Sequence, residues 1–123
     1  MTTVDSPVYP NAWQQSWQWQ GMNMSYVLTP EQTGHAGSAV VLIHGFGACK
    51  EHWRHTLPAL SRDNRVLAVD LMGFGASEKP RSRLKDESSV NNDWTYGIGS
   101  WADQVLSLIE HLNLGPVQLV GNS

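Results

Sequence analysis

Three glycine-bearing stretches hold most of the residues that could do chemistry: His44-Gly45-Phe46-Gly47, Asp70-Leu71-Met72-Gly73-Phe74-Gly75-Ala76-Ser77, and Gly121-Asn122-Ser123. Ser123 ends an apolar run, Val117-Gln118-Leu119-Val120. A short buried strand closing on Gly-x-Ser is how a nucleophile elbow begins: the strand aims at the site, the glycine permits the tight turn, and the serine Oγ is lifted into the open. The full signature is G-x-S-x-G, so Gly121-Asn122-Ser123 supplies only its opening, and the two upstream glycine turns must carry the rest of the reading. Nucleophilic catalysis by a serine hydroxyl is the chemistry these residues suit.

Each stretch follows an element that could position it. Ala39 to Ile43 is a continuous apolar run, β-branched at Val40, Val41 and Ile43, as expected of a strand buried on both faces of a parallel sheet. Val66 to Val69 is a second such run, and Val117 to Val120 a third. After the first turn, Trp53, Leu57 and Leu60 keep helical spacing, with Pro58 kinking the helix or starting a fresh turn. Ser100 and Asp103 resemble a capping box, and Trp101, Val105, Leu108, Ile109 and Leu112 make an apolar helical face that Gly115 and Pro116 end. Buried strands alternating with amphipathic helices specify an α/β class, a mostly parallel sheet with right-handed crossovers. Ligands bind beyond the carboxyl ends of such strands, where all three glycine turns fall.

The N-terminal part reads differently. Residues 1–16 form an irregular leader with Pro7 and Pro10. Residues 17–38 form an antiparallel hairpin and linker: Trp17 and Trp19 share one face, Gly21 breaks the run, and Met22, Met24 and Tyr26 alternate again. Packing on the sheet explains these aromatics better than a binding platform does. Residues 39–123 form the parallel core. His35 lies in the turn-forming linker Thr29 to Ser38, and Glu78 to Asp93 is a polar, solvated loop.

Composition narrows the class. The chain has 123 residues, 41% hydrophobic and 15% charged, as in a soluble globular domain. A net charge of −3 leaves no basic footprint for nucleic acid or an anionic membrane. The lone Cys49 excludes an internal disulfide, and no Cys/His cluster has metal-site spacing, which fits a reducing compartment. The residues before Lys50 contain no Lys or Arg, unlike a secretory or transit leader, and no apolar run nears the ~20 residues of a membrane span. A cytoplasmic protein is the expectation, and its oligomeric state is left open.

Val41-Leu42-Ile43-His44-Gly45-Phe46-Gly47, then Val69 to Ser77, then Val120-Gly121-Asn122-Ser123 resemble the α/β-hydrolase superfamily, from about Trp17 onward. The resemblance implies a partial α/β-hydrolase fold that stops after the elbow strand, without the C-terminal half and lid. It makes Ser123 the nucleophile and the Phe46 N–H one oxyanion donor, with Gly45 and Gly47 leaving room for substrate. The second donor belongs to the residue after serine. His44 supports the turn, and Asp70 steadies the glycine turn behind it. The family order is Ser, acid, His, so all five histidines precede Ser123 and none is expected to be the base. His52, His55 and His111 are surface or packing residues, and Cys49 is small and half-buried rather than a lowered-pKa thiol. No cofactor and no metal are implied.

Haloalkane dehalogenases and epoxide hydrolases carry aspartate at the elbow, so Ser123 disfavours both. Gly-Asn-Ser is similar to meta-cleavage-product hydrolases, which break a C–C bond, and to pheophytinase and chlorophyll dephytylase-like esterases. The latter match better through His52-Trp53-Arg54 and Gly73 to Ser77. The expected activity is serine ester hydrolysis through an acyl-enzyme, on a small-molecule ester. The alternatives are C–C hydrolysis and a non-catalytic truncated binding protein on the same scaffold. A nucleotide-binding domain is disfavoured, because no Gly-x-Gly-x-x-Gly or Walker loop follows the first buried strand. Taken alone, the chain is expected to be marginally folded, inactive, and open along its last strand.

Overall fold

A computed structural model describes residues 9–32, 38–81 and 94–122. The expectations for His35, for most of the polar loop after Lys79 and for Ser123 fall outside the described residues. Among those residues the sheet has five strands: β1 (Gln14–Trp19), β2 (Met22–Leu28), β3 (Ala39–Ile43), β4 (Val66–Val69) and β5 (Val117–Gly121). Their order is β1-β2-β4-β3-β5. β1 pairs antiparallel with β2 and β2 antiparallel with β4, while β3 runs parallel to both β4 and β5. The expected hairpin and parallel core are therefore both present, in a mixed α/β sheet.

Side-chain alternation divides the core between the two sheet faces, because successive residues of a strand point to opposite sides. Met24, Tyr26, Leu28, Val41, Leu67 and Val69 pack on one face under the apolar side of α2 (Ile98–His111). Val27, Val40, Leu42, Val66 and Ala68 pack on the other, with Trp53 and with Leu57 of α1 (Thr56–Leu60). The chain goes from β3 to β4 on one side and from β4 past β3 to β5 on the other. That reversal makes the carboxyl ends of β3 and β5 the switch point of the sheet, where a crevice opens in α/β folds.

Several local expectations are corrected. Ordered structure reaches back into the stretch read as an irregular leader: Asn11–Trp13 is a 3-10 turn, β1 starts at Gln14, and Tyr9 is only 8% exposed, stacked on Trp13. Prolines hide such contacts from a periodicity search, since the burial comes from across the fold. Of the two readings of Pro58 the fresh turn holds: Lys50–Trp53 is a 3-10 turn and α1 a separate helix with Pro58 inside it, so Trp53 shares no helix with Leu57 and Leu60. That position suits proline, since the first N–H groups of a helix have no intrahelical partner.

Ser100 is not a cap. α2 starts at Ile98 behind Gly97, with no side-chain capping bond. Its end is set by Asn113 rather than Gly115. Asn113 sits at φ +56°, its N–H donates to Glu110 O, and the Leu114 N–H donates to Ile109 O. This is a Schellman motif with asparagine in the left-handed position. The last strand is not buried: β5 forms the sheet edge with Leu119 60% exposed, in line with the expectation of an open edge. No helix among the described residues is long and apolar enough to cross a membrane.

Candidate active site

The first glycine turn leaves β3 directly. The Ala48 N–H donates to Gly45 O at 3.0 Å, and Gly47 sits at φ +81°. Positive φ at the third residue is the mark of a type II turn, which a side chain at Gly47 would strain. Phe46 stands at the tip, 89% exposed. No described residue accepts from its N–H.

His44 joins this turn to the second one. The Leu71 N–H donates to Nε2 at 3.0 Å, and Nδ1 lies 2.8 Å from Gly45 O. A backbone N–H can only donate, so Nε2 is the acceptor and the neutral ring carries its proton on Nδ1, which donates to Gly45 O. One buried imidazole thus fixes the backbone on both sides of the crevice.

Asp70 is fully buried at the end of β4. Its carboxylate accepts from the Lys50 N–H at 2.7 Å, from Lys50 Nζ at 2.8 Å and from the Ala76 N–H at 2.9 Å. It therefore ties the start of the 3-10 turn after Ala48 to the second glycine turn. Gly75, at φ +57°, lies so close that a Cβ there would overlap the carboxylate. Ser77 Oγ donates to Asp70 O and accepts from the Ser25 N–H, while Gln104 Nε2 donates to Asp70 O and its Oε1 accepts from the Met72 N–H. The second glycine turn is thereby fastened to β2 and to α2.

Sequence reasoning missed Lys50, Ser77 and Gln104. Lysine and glutamine ordinarily sit on the surface, and nothing local marks these two as buried. Lys50 Nζ also lies 3.2 Å from Glu51 Oε2. Burial works to lower the Lys50 pKa, but the hydrogen bond and charge of Asp70, with Glu51 adding to them, raise it above the ordinary 10.5. Burial likewise opposes the charge on Glu51, yet Lys50 holds it below 4.5. Cys49, Glu51 and Asp70 could by spacing face a metal ion, but the Lys50 ammonium already supplies the cation for both carboxylates. Burial is the main cause that raises the Cys49 thiol above 9.0, opposite to an activated thiolate.

The third stretch meets the first. Ile43 is in register with Gly121, and the Asn122 N–H donates to Ile43 O at 3.2 Å. The residues after β3 and those after β5 therefore leave the sheet side by side. His44, Gly45, Phe46 and Gly47 lie on one side of this junction and Asn122 on the other, while Asp70 holds the turn behind. Ser123 itself lies outside the described residues. Of the other histidines, His55 is exposed before α1, His111 stacks on Trp17 with centroids 3.9 Å apart, and His52 reaches Asn122.

Aromatic rings line the approach. Phe46 packs edge-on against Phe74, which also contacts His44 and Trp101. Trp101 donates from Nε1 to Met72 O and borders an apolar groove of about 440 Å³ between α2 and the strand ends, with Ile43, Leu71, Ile98, Val105 and Leu119 among its walls.

Comparison with known proteins agrees with this fold. A family model described as alpha/beta hydrolase fold matches residues 38–123. The chain is 37% identical over 91 residues to the 2-hydroxy-6-oxo-2,4-heptadienoate hydrolase of Pseudomonas putida, covering 72% of this chain and 29% of the relative. It is 32% identical over 104 residues to the chloroplastic pheophytinase of Arabidopsis thaliana, covering 69% of this chain and 22% of that protein. The solved meta-cleavage product hydrolase of Pseudomonas fluorescens IP01 superposes with a TM-score of 0.68 at 30% identity, over 89% of this chain and 35% of the other. The chain thus spans about a third or less of the length of these relatives.

Proposed function

Since the chain belongs to the alpha/beta hydrolase fold family, we propose that it carries the nucleophile and one oxyanion donor of a serine hydrolase that cleaves small-molecule carboxylic esters through an acyl-enzyme. The observation that carries this reading is the junction of β3 and β5, with the Asn122 N–H on Ile43 O. It sets the start of the His-Gly-Phe-Gly turn beside the residue that precedes Ser123. In this reading Ser123 Oγ attacks the ester carbonyl and its proton passes to a histidine. The family's chain order puts that histidine, with its orienting acid, after the serine. The oxyanion receives the Phe46 N–H and the N–H of the residue following Ser123; the alcohol leaves, and water then releases the acid. His44 and Asp70 hold the two turns and touch no substrate.

A second reading is C–C bond hydrolysis, favoured by the likeness to the Pseudomonas putida hydrolase, whose name gives a 2-hydroxy-6-oxo-dienoate as substrate. The ester reading rests on Phe46-Gly47-Ala48 standing where the meta-cleavage group has Gly-Pro-Gly. Joining residues 1–123 to the remaining length of the Pseudomonas putida relative gives a testable chimera. A fluorophosphonate probe should label it at Ser123, and ester turnover should vanish in Ser123→Ala. Labelling that survives that substitution would end the serine hydrolase reading, and turnover of the dienoate without ester turnover would select the second.

A further inference from the structure

Asn122, the residue before the candidate nucleophile, is held at two points. Its N–H is bonded to Ile43 O, and its Nδ2 lies 3.0 Å from His52 Nε2. We infer that His52 is a positioning residue for the elbow, its ring accepting the Asn122 amide so that the Phe46 segment and the end of β5 are fastened to each other. The inference rests on the reading of Ser123 as nucleophile.

His52 is suited to the task because its platform is rigid. It belongs to the 3-10 turn Lys50–Trp53, whose first residue is fixed on the Asp70 carboxylate. The last residue, Trp53, is buried with Leu57 and Leu42, and its indole meets the His52 ring edge-on at 5.2 Å and 88°. The same few residues follow directly from the turn that presents the Phe46 N–H. A bond from this platform to Asn122 therefore links the oxyanion donor to the residue that aims Ser123. Acyl transfer requires such groups to be held to within about 0.5 Å, which falls to supporting side chains of this kind.

The bond has a directional signature. An amide NH2 only donates, so His52 Nε2 must accept and the neutral ring must carry its proton on Nδ1. In water a free neutral histidine prefers the proton on Nε2, so the tautomer reports the contact.

Long-range proton–nitrogen NMR of the full 123-residue chain tests the assignment, with His52 identified by its loss in His52→Gln. His52 should be in the Nδ1–H form, and Asn122→Asp, which replaces the donor with an acceptor, should move the proton to Nε2. Amide exchange at Asn122 should speed up about three- to tenfold in His52→Ala, the range expected for one hydrogen bond, and return to normal in His52→Gln, whose Oε1 falls near the position of Nε2. A histidine that only packs beside Asn122, without accepting its amide, would give neither the tautomer switch nor the rescue by glutamine. His52 in the Nε2–H form in the unsubstituted chain, whether from a missing contact or from an unfolded chain, overturns the proposal, as does exchange in His52→Gln that matches His52→Ala. None of these readouts involves Ser123 reactivity, so a chimera that fails to label leaves the tautomer result standing and sinks only the hydrolase reading.

Discussion

Replacing Lys50 by methionine isolates the interaction on which both glycine turns lean. The substitution keeps the buried stem but removes the ammonium, leaving the Asp70 carboxylate with two backbone donors, the Lys50-position N–H and the Ala76 N–H. The lysine and aspartate side chains are 3% and 0% exposed, so the pair gets little screening from water. Removing one partner of a buried pair costs about 3 to 5 kcal/mol, because the remaining charge stays desolvated. The two surviving backbone bonds argue for the lower end, about 3 kcal/mol. Glu51 offers an internal control: its side chain is 36% exposed, and Glu51→Gln should cost under about 1 kcal/mol. Urea unfolding followed by tryptophan fluorescence reads both variants. With a slope of about 2 kcal/mol per molar, Lys50→Met should lower the midpoint by about 1.5 M and Glu51→Gln by under about 0.5 M. A Lys50→Met midpoint no lower than that of Glu51→Gln would refute the claim that Lys50 and Asp70 clasp the turns.

Phe46→Pro keeps the type II turn, since proline suits its second position, but removes the N–H; in the chimera ester turnover should fall about 10²- to 10³-fold with little change in melting temperature. Loss of the fold, or unchanged turnover, would count against Phe46 as oxyanion donor. Gly75→Ala should lower the thermal midpoint more than Asn113→Ala does, because the added Cβ meets the Asp70 carboxylate as well as a left-handed backbone. Asn113→Gly should be neutral or stabilising, a comparison that calorimetry makes directly. Stability should also decline at alkaline pH. Lys50 is raised above 10.5, and burial, the largest cause, pushes Tyr9 up to about 12 from 10.0; both contributions are complete below the unfolded values and fade as pH climbs through the folded ones. The loss should therefore begin near pH 10 and be smaller in Tyr9→Phe, measured as urea midpoint against pH.

The parallel core was legible because its causes are local. Ala39 to Ile43, β-branched at Val40, Val41 and Ile43, and then Val66 to Val69 are apolar runs too short for helices, and a glycine turn follows each within a few residues. Gly47 and Gly75 could be read as turn residues because only glycine adopts their backbone without strain. The helix limits were less legible. Ser100 and Asp103 have capping-box spacing, but α2 begins two residues before Ser100 without a side-chain cap, and Asn113 ends it where the sequence pointed to Gly115. The leader was misread because Tyr9 joins a core cluster with Val27, Leu42 and Trp53, which are remote in sequence.

By itself the sequence determined the first two glycine corners, their order, and the strand ends on which they stand, since dihedral freedom and hydrophobic runs depend on neighbours a few residues apart. Only the tertiary structure decided that Lys50 would be an interior cation for Asp70, that Gln104 and Ser77 would hold the second turn, and that His52 would meet Asn122. These contacts join polar groups twenty or more residues apart, save the bond from Ser77 to Asp70 O across the turn itself. Hydrogen bonds and ion pairs of that kind leave no period in a sequence, because what fixes them is the crossing of strands and helices that brings the partners within about three ångströms.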